Sequence, residues 1–172
     1  IEGEAIVGLF KADTGSGRVV AENITGDVNI DTGSGSVKVV GSKGDDLLID
    51  TGSGSVVVEQ VICRKMDIDT GSGGVKARHV ETDRARIDTG SGSVTLQLDR
   101  MGTGEFEVDT GSGRVQLILP DDASAVIVAD TGSGGVNVDL VGADIKTKER
   151  DRVKLVVGDG EARVVLDTGS GS

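Results

Sequence analysis

The pentapeptide Asp-Thr-Gly-Ser-Gly occurs eight times in 172 residues, and no other feature limits the fold of the chain so strongly. Copies start at Asp13, Asp31, Asp50, Asp69, Asp88, Asp109, Asp130 and Asp167, at intervals of 18, 19, 19, 19, 21, 21 and 37 residues. A period near twenty residues marks a solenoid, in which each rung buries its apolar face only against its neighbours. The last interval spans roughly two periods and reads as one decayed copy.

In the rung that opens at Asp31, Val37 and Val39 alternate with Ser36 and Lys38, and Leu47 and Ile49 alternate with Asp46 and Leu48. Alternation of this kind predicts strands with one buried face. Val19, Ala21, Val28 and Ile30 fill the same columns before it; Val56, Val58, Met66, Ile68 and then Val75, Ala77, Ala85, Ile87 fill them after it. Ile24, Val61 and Val80 add a further column. Each rung is expected to hold two strands, joined by the Gly-rich corner and by a second turn of varied sequence. The expected fold is all-β: a single-stranded β-solenoid (β-helix) of about nine rungs, right-handed by the usual crossover preference. Rungs run 18–21 residues. One domain would span residues 1–172, with an N-terminal rung at 1–12, regular rungs at 13–141, and an irregular loop and C-terminal rung at 142–172. Lys146, Lys148, Glu149, Arg150 and Asp151 read as a polar excursion, and Pro120 as lying just outside a strand.

The repeated motif reads as corner chemistry. In-facing parity runs through Val28, Ile30 and Thr32 and resumes out of phase at Val37, so the corner absorbs one residue. Its glycines, among them Gly15, Gly33, Gly52, Gly71, Gly90, Gly111, Gly132 and Gly169, are expected at positive φ where a Cβ would clash. The motif Asp is expected to accept hydrogen bonds from amides two or three residues ahead. Thr would sit at the edge of the core, and Ser hydroxyls would bond from rung to rung.

Composition narrows the functional classes. Phe10 and Phe106 are the only aromatics, which argues against single-stranded nucleic-acid binding through base stacking. A net charge of −11 lacks the basic footprint of a DNA-binding domain. No apolar run approaches a membrane span. Cys63, the only cysteine, cannot form an internal disulfide. Ile1 opens inside a strand-like stretch, which reads as a trimmed chain.

The recurring Asp-Thr-Gly-Ser-Gly-x-Val-x-Val resembles the toastrack family of bacterial repeat domains, which also carries an adhesin label. Leu119-Pro120 ahead of the strand into Asp130, and Gly158-Asp159-Gly160 ahead of Asp167, fit the same pattern. The resemblance implies a β-solenoid carried by bacterial envelope proteins, sometimes linked to envelope-stress signalling, with no catalytic residues to transfer. An extracytoplasmic or surface location follows from that resemblance alone.

Other chemistries fare worse. Aspartic proteases present two such carboxylates sharing a proton at about 3 Å, whereas eight copies at a regular period are a repeat product. A calcium column of stacked carboxylates is conceivable, but calcium-binding repeats use a different Gly-Gly-x-Gly-x-Asp pattern. Ice-binding solenoids present outward Thr columns, and these Thr share parity with the core. Arg64, Lys65, Lys76, Arg78, His79, Arg84, Arg86 and Arg100 form a basic cluster, which reads as salt ladders: Arg78 between Glu59 and Gln97, Arg84 on Glu105, Arg86 between Asp67 and Glu107. His79 and Cys63 lack partners for a zinc site or a triad. Gly-Ser-Gly is too short for a phosphate-binding loop, and the loops are too short to build a lyase cleft.

The sequence therefore favours a non-catalytic structural or interaction domain that needs no cofactor and acts in adhesion or partner recognition. A ligand- or cation-responsive sensory module is the alternative. Val40, Leu48, Val57, Ile118, Val126 and Val128 take outward positions and are the candidate contact face for a protein partner or a second copy.

Overall fold

The computed structural model describes residues 1–134, 144–149 and 151–171. Among them run fifteen strands: β1 (Glu2–Glu4), β2 (Phe10–Thr14), β3 (Val19–Glu22), β4 (Val28–Thr32), β5 (Val37–Val40), β6 (Asp46–Ser53), β7 (Val56–Ser72), β8 (Val75–Thr89), β9 (Val94–Met101), β10 (Glu105–Ser112), β11 (Val115–Ile118), β12 (Ala125–Gly134), β13 (Asp144–Lys148), β14 (Arg152–Val157) and β15 (Ala162–Gly171). They coil into an all-β solenoid of about six turns.

Two parallel ladders carry the stack. In the first, β2, β4, β6, β7, β8 and β10 lie side by side, with Asp13, Asp31, Asp50, Asp69, Asp88 and Asp109 in register. In the second, β1, β3, β5, β7, β8, β9 and β11 align Val19, Val37, Val56, Val75, Val94 and Val115. The period-two pattern sets which side chains turn inward, and stacking the rungs removes those aliphatic columns from water.

The turn between the two strands of a rung is itself structured. Val7, Thr25, Lys43 and Ile62 bridge in parallel, and β7 and β8 run through this stretch unbroken, pairing Ile62 with Glu81. Each turn thus has three sides rather than two strands and a loose turn. Ile24, Val61, Val80 and Leu98 fill its inner column and are buried. The bend into this third side is made by Ala5, Asn23, Gly41, Gln60 and His79 at φ between 53 and 66, a left-handed conformation that four of the five hold without glycine's freedom. Ser42 occupies the same inner column, buried, with no hydrogen-bond partner for its Oγ. Pro120 lies just beyond β11, as its missing N–H requires.

The C-terminal part departs from the simple repeat. β15 does not add a rung at the end of the stack: it pairs in parallel with β10 on one side and with β12 on the other. The motif aspartates therefore stack as Asp109, Asp167, Asp130, out of chain order. The 37-residue interval is an excursion and a return, not a rung with a decayed motif. Six motif-to-motif intervals from Asp13 to Asp130 make the turns, which is why the expected nine fall to about six.

β14 runs antiparallel on the far side of β12, and β13 antiparallel on β14. Within the polar excursion expected between residues 142 and 151, residues 144–148 are thus a strand; Arg150 lies outside the described residues. The inward residues of β15, Ala162 and Val164, are buried between Phe106 on β10 and Ala125 and Ile127 on β12.

Candidate functional site: the aspartate ladder and the outer faces

The motif corner is held by backbone. Gly33 N–H donates to the Thr14 carbonyl at 3.1 Å, Ser34 N–H to Gly15 at 3.2 Å, and Gly35 N–H to the Ser53 carbonyl of the following rung at 2.8 Å. These amides are consumed between rungs. None is left for the motif carboxylates, so the expected Asx turns do not form among the described residues. The second glycine of the motif takes positive φ (147° at Gly35, 143° at Gly54, 145° at Gly73), whereas Gly33, Gly52, Gly71, Gly90, Gly111, Gly132 and Gly169 do not. The first glycine is required by proximity: a Cβ on Gly52 or Gly71 would lie 2.6 Å from the carbonyl oxygen of the preceding rung's glycine.

Thr takes the place expected for Ser. The Thr51, Thr70, Thr89 and Thr110 side chains are buried and donate to the carbonyls of Gly35, Gly54, Gly73 and Gly92 at 3.4, 3.4, 3.1 and 3.0 Å. Thr168 donates to Gly113 and Thr131 to Gly171, so this chain of bonds also passes through the inserted strand. The motif Ser is exposed in most rungs, Ser34 and Ser53 among them.

With their amides taken, the motif carboxylates stand on the outer face of the first ladder, one strand spacing (about 4.8 Å) apart. Burial pushes the Asp50 carboxyl above its usual value, and the charges of Asp69 and Asp31 push it further. Asp109 is raised the same way, first by burial and then by Asp88, Asp167 and Glu107, with Arg86 opposing. A shallow groove of about 330 Å³ lies along this face, lined by Asp31, Asp50, Asp69, Asp67, Leu48 and Arg86 among others. Arg152 of β14 closes the ladder at its far end, 3.6 Å from Asp130.

Asp27, not a motif residue, does accept backbone amides, though between rungs and not within its own turn. Its carboxylate accepts from the Asp45 and Asp46 amides of the next rung, each at 3.0 Å, and these bonds hold it below the usual carboxylate range.

The pH dependence of stability follows from these shifts. A raised carboxyl binds its proton more tightly in the folded state, so Asp50 and Asp109 destabilise the fold as pH climbs above 3.8. Asp27, lowered, contributes stability that is lost as pH falls below 3.8. The melting temperature should therefore rise as the pH is lowered from neutral towards about 3.8, and fall on further acidification. A melting temperature that climbs steadily from about pH 4 to pH 7 would contradict this.

The basic cluster is largely paired. Arg86 reaches Asp88 at 3.0 Å, Asp67 at 3.7 Å and Glu107 at 3.9 Å; Arg64 reaches Asp45 at 3.0 Å, and Lys65 reaches Asp67 at 3.1 Å. Arg100 meets Glu81 and Asp83, and His79 meets Asp99 through Nδ1 at 3.1 Å. Two expected pairings change. Glu105 is taken by Arg163 of the inserted strand at 3.5 Å rather than by Arg84, and a register shift between β8 and β9 beyond Ala77 removes the Arg78–Gln97 pairing. At these exposures the pairs fix register more than they stabilise. Cys63 is buried with Sγ 3.5 Å from the Thr82 hydroxyl, and burial pushes its thiol up, away from a reactive thiolate.

The apolar outward residues do not form one face. Val40 and Val57 lie on adjacent rungs of the second ladder, Ile118 further along it, and Leu48 alone on the first ladder between Asn29 and Asp67. Val126 and Val128 sit at the far end of the first ladder, beside Val156 of β14 and Val165 of β15. Ile118 is 41% exposed and the other five are half-buried.

The chemistry available is limited. Among the described residues no three His, Cys, Asp or Glu side chains come together to hold a metal ion. Among the described residues no helix is long and apolar enough to cross a membrane.

This architecture has a counterpart among sequence families. The Toastrack DUF4097 family model matches residues 7–172, nearly the whole chain. The chain belongs to the Toastrack family. No curated protein and no solved structure matches it. In this Toastrack solenoid the shared motif is the corner itself: Thr and both glycines are fixed by rung-to-rung contacts, and Asp and Ser are the members left facing outward.

Proposed function

We propose that this Toastrack domain is a non-catalytic structural and interaction module of a bacterial envelope or surface protein, acting by contact with a protein partner or a second copy. The observation that carries the reading is the outer surface. Part of its basic cluster is paired in salt ladders, while the end of the first ladder offers Val126, Val128, Val156 and Val165 side by side. A cluster of half-buried valines is the composition of a contact patch rather than of a solvated face. No nucleophile, general base or bound ion is needed for such a role. A cation-responsive sensory role has the aspartate ladder behind it, but Arg86 and Arg152 already neutralise part of that ladder.

The test is light scattering across a concentration series. The natural protein should self-associate, and Ile118→Lys with Val126→Lys should shift it to monomer without lowering its melting temperature by more than a few degrees. A strict monomer at every concentration, unaltered by both changes, would remove self-association from the reading.

A further inference from the structure

The slot between β10 and β12 is filled by a strand that reaches it only by chain reversal. β12 lies two strand spacings from β10, which leaves one slot between them; β13 and β14 turn back on its far side, and β15 then crosses over the start of β12 to enter. We propose that this slot also accepts the β15 of a second copy of the chain, so that two molecules form a reciprocal strand-exchanged dimer. The inference is independent of the valine patch.

Everything that holds β15 belongs to the strand and its slot, not to the tether. Val164 lies between Phe106 and Ile127, and Thr168 Oγ1 donates to the Gly113 carbonyl at 3.3 Å. Gly113 N–H donates to the Ser170 carbonyl at 3.0 Å, and Arg163 reaches Glu105 at 3.5 Å. All of these form identically whichever molecule supplies the strand.

The slot is also selective. Gly169 and Gly132 pack against the carbonyls of Gly111 and Gly169, approaches that a Cβ would obstruct at 2.6 Å, so the incoming strand must carry the motif glycines in register.

The tether, by contrast, gives up little. Residues 158–161 cross Ser124, whose Oγ accepts from the Asp159 and Glu161 amides at 3.1 and 3.2 Å. Gly158 and Gly160 hold φ of 57° and 74°. Exchange loses those two hydrogen bonds and releases two left-handed residues. A short hinge held in such a turn is where exchange between copies is favoured.

Ser112 and Ser170 are paired across β10 and β15, which supplies a direct readout. Two full-length chains, both Cys63→Ala, carry Ser112→Cys and Ser170→Cys respectively. They are unfolded together, refolded at high concentration and treated with a short bifunctional thiol reagent. Exchange predicts a covalent heterodimer on a denaturing gel, absent when the two chains are folded separately and mixed cold. Gly160→Val in the Ser170→Cys chain penalises the closed turn and should raise the heterodimer yield about tenfold.

A single chain carrying both cysteines, folded dilute, should cross-link internally and run as a monomer. A co-refolded mixture with no more heterodimer than the cold mixture overturns the proposal. Failure of the double-cysteine chain to cross-link internally overturns the register on which it rests. Ile118→Lys, away from the slot and hinge, should leave the heterodimer yield unchanged, which separates exchange from surface association.

Discussion

Gly71→Ala is expected to cost about 3 kcal/mol, while Gly15→Ala leaves stability within about 0.5 kcal/mol, although both change the same letter of the same motif. The difference is the rung below. A Cβ on Gly71 would sit 2.6 Å from the Gly52 carbonyl oxygen, backbone that cannot move without breaking the ladder, whereas a Cβ on Gly15 meets nothing within 4 Å. Neither glycine is at positive φ, so conformational freedom drops out of the comparison. Gly73→Ala adds the dihedral penalty, because Gly73 holds φ at 145° and its Cβ would also strike the Gly54 carbonyl; its cost should exceed that of Gly71→Ala by about 1–2 kcal/mol. Urea titration followed by far-UV circular dichroism is the suitable measurement, since the chain has no Trp or Tyr to report by fluorescence. Equal losses at Gly15 and Gly71 would mean that the motif glycines serve local turn geometry and not stacking.

The parts of the fold that were legible in the sequence are those set by nearest-neighbour repetition. Alternation identified Val37, Val39, Leu47 and Ile49 as inward, and all four are buried. The phase slip at the corner placed Thr32 on the core side, where it lies. Register followed too: Arg86 stands between Asp67 and Glu107 because equal spacing forces it there. What could not be read was anything requiring a choice among equivalent partners. Eight near-identical motif strands fit beside one another equally well by sequence pattern, so chain order was the natural guess, and it failed for β15. The clues that β15 lies elsewhere are weak in sequence: Ser124, whose hydroxyl anchors the crossing, looks like any loop serine, and Arg163 is one basic residue among many. The roles of Asp and Ser in the motif were misassigned for another reason. Asx turns and hydroxyl ladders are local habits of those residues, but in the stack corner amides such as those of Gly33, Ser34 and Gly35 already have partners in the adjoining rungs. Tertiary hydrogen bonding therefore removes the donors that an isolated turn would offer. The same competition explains Asp27: the Asp45 and Asp46 amides lie where the chain enters β6, outside the corner, and are free to bond a carboxylate from the rung before.

Val164→Asp should lower stability by about 3–5 kcal/mol and abolish cooperative folding of the C-terminal part, while Val165→Asp should cost about 1 kcal/mol or less. The two residues are adjacent in β15 and differ in which way they face. Val164 is fully buried between Phe106 and Ile127, where a carboxylate would have no hydrogen-bond donor and no cation within the apolar column. Val165 faces outward, between Glu107 and Val128, and a carboxylate there meets water and one like charge. Were the last motif copy a terminal rung, its inward residue would have a neighbour on one side only, and an aspartate could swing past the open end into solvent. Enclosure by β10 and β12 closes that escape. Amide hydrogen exchange should show the damage on both flanks of the slot, with protection lost in β10 and β12 together, while β3 to β6 keep theirs, because each rung of a solenoid is coupled chiefly to its neighbours. Loss of protection confined to β12–β15, with β10 intact, would place β15 outside the stack and undo the strand order from which the exchanged dimer was inferred.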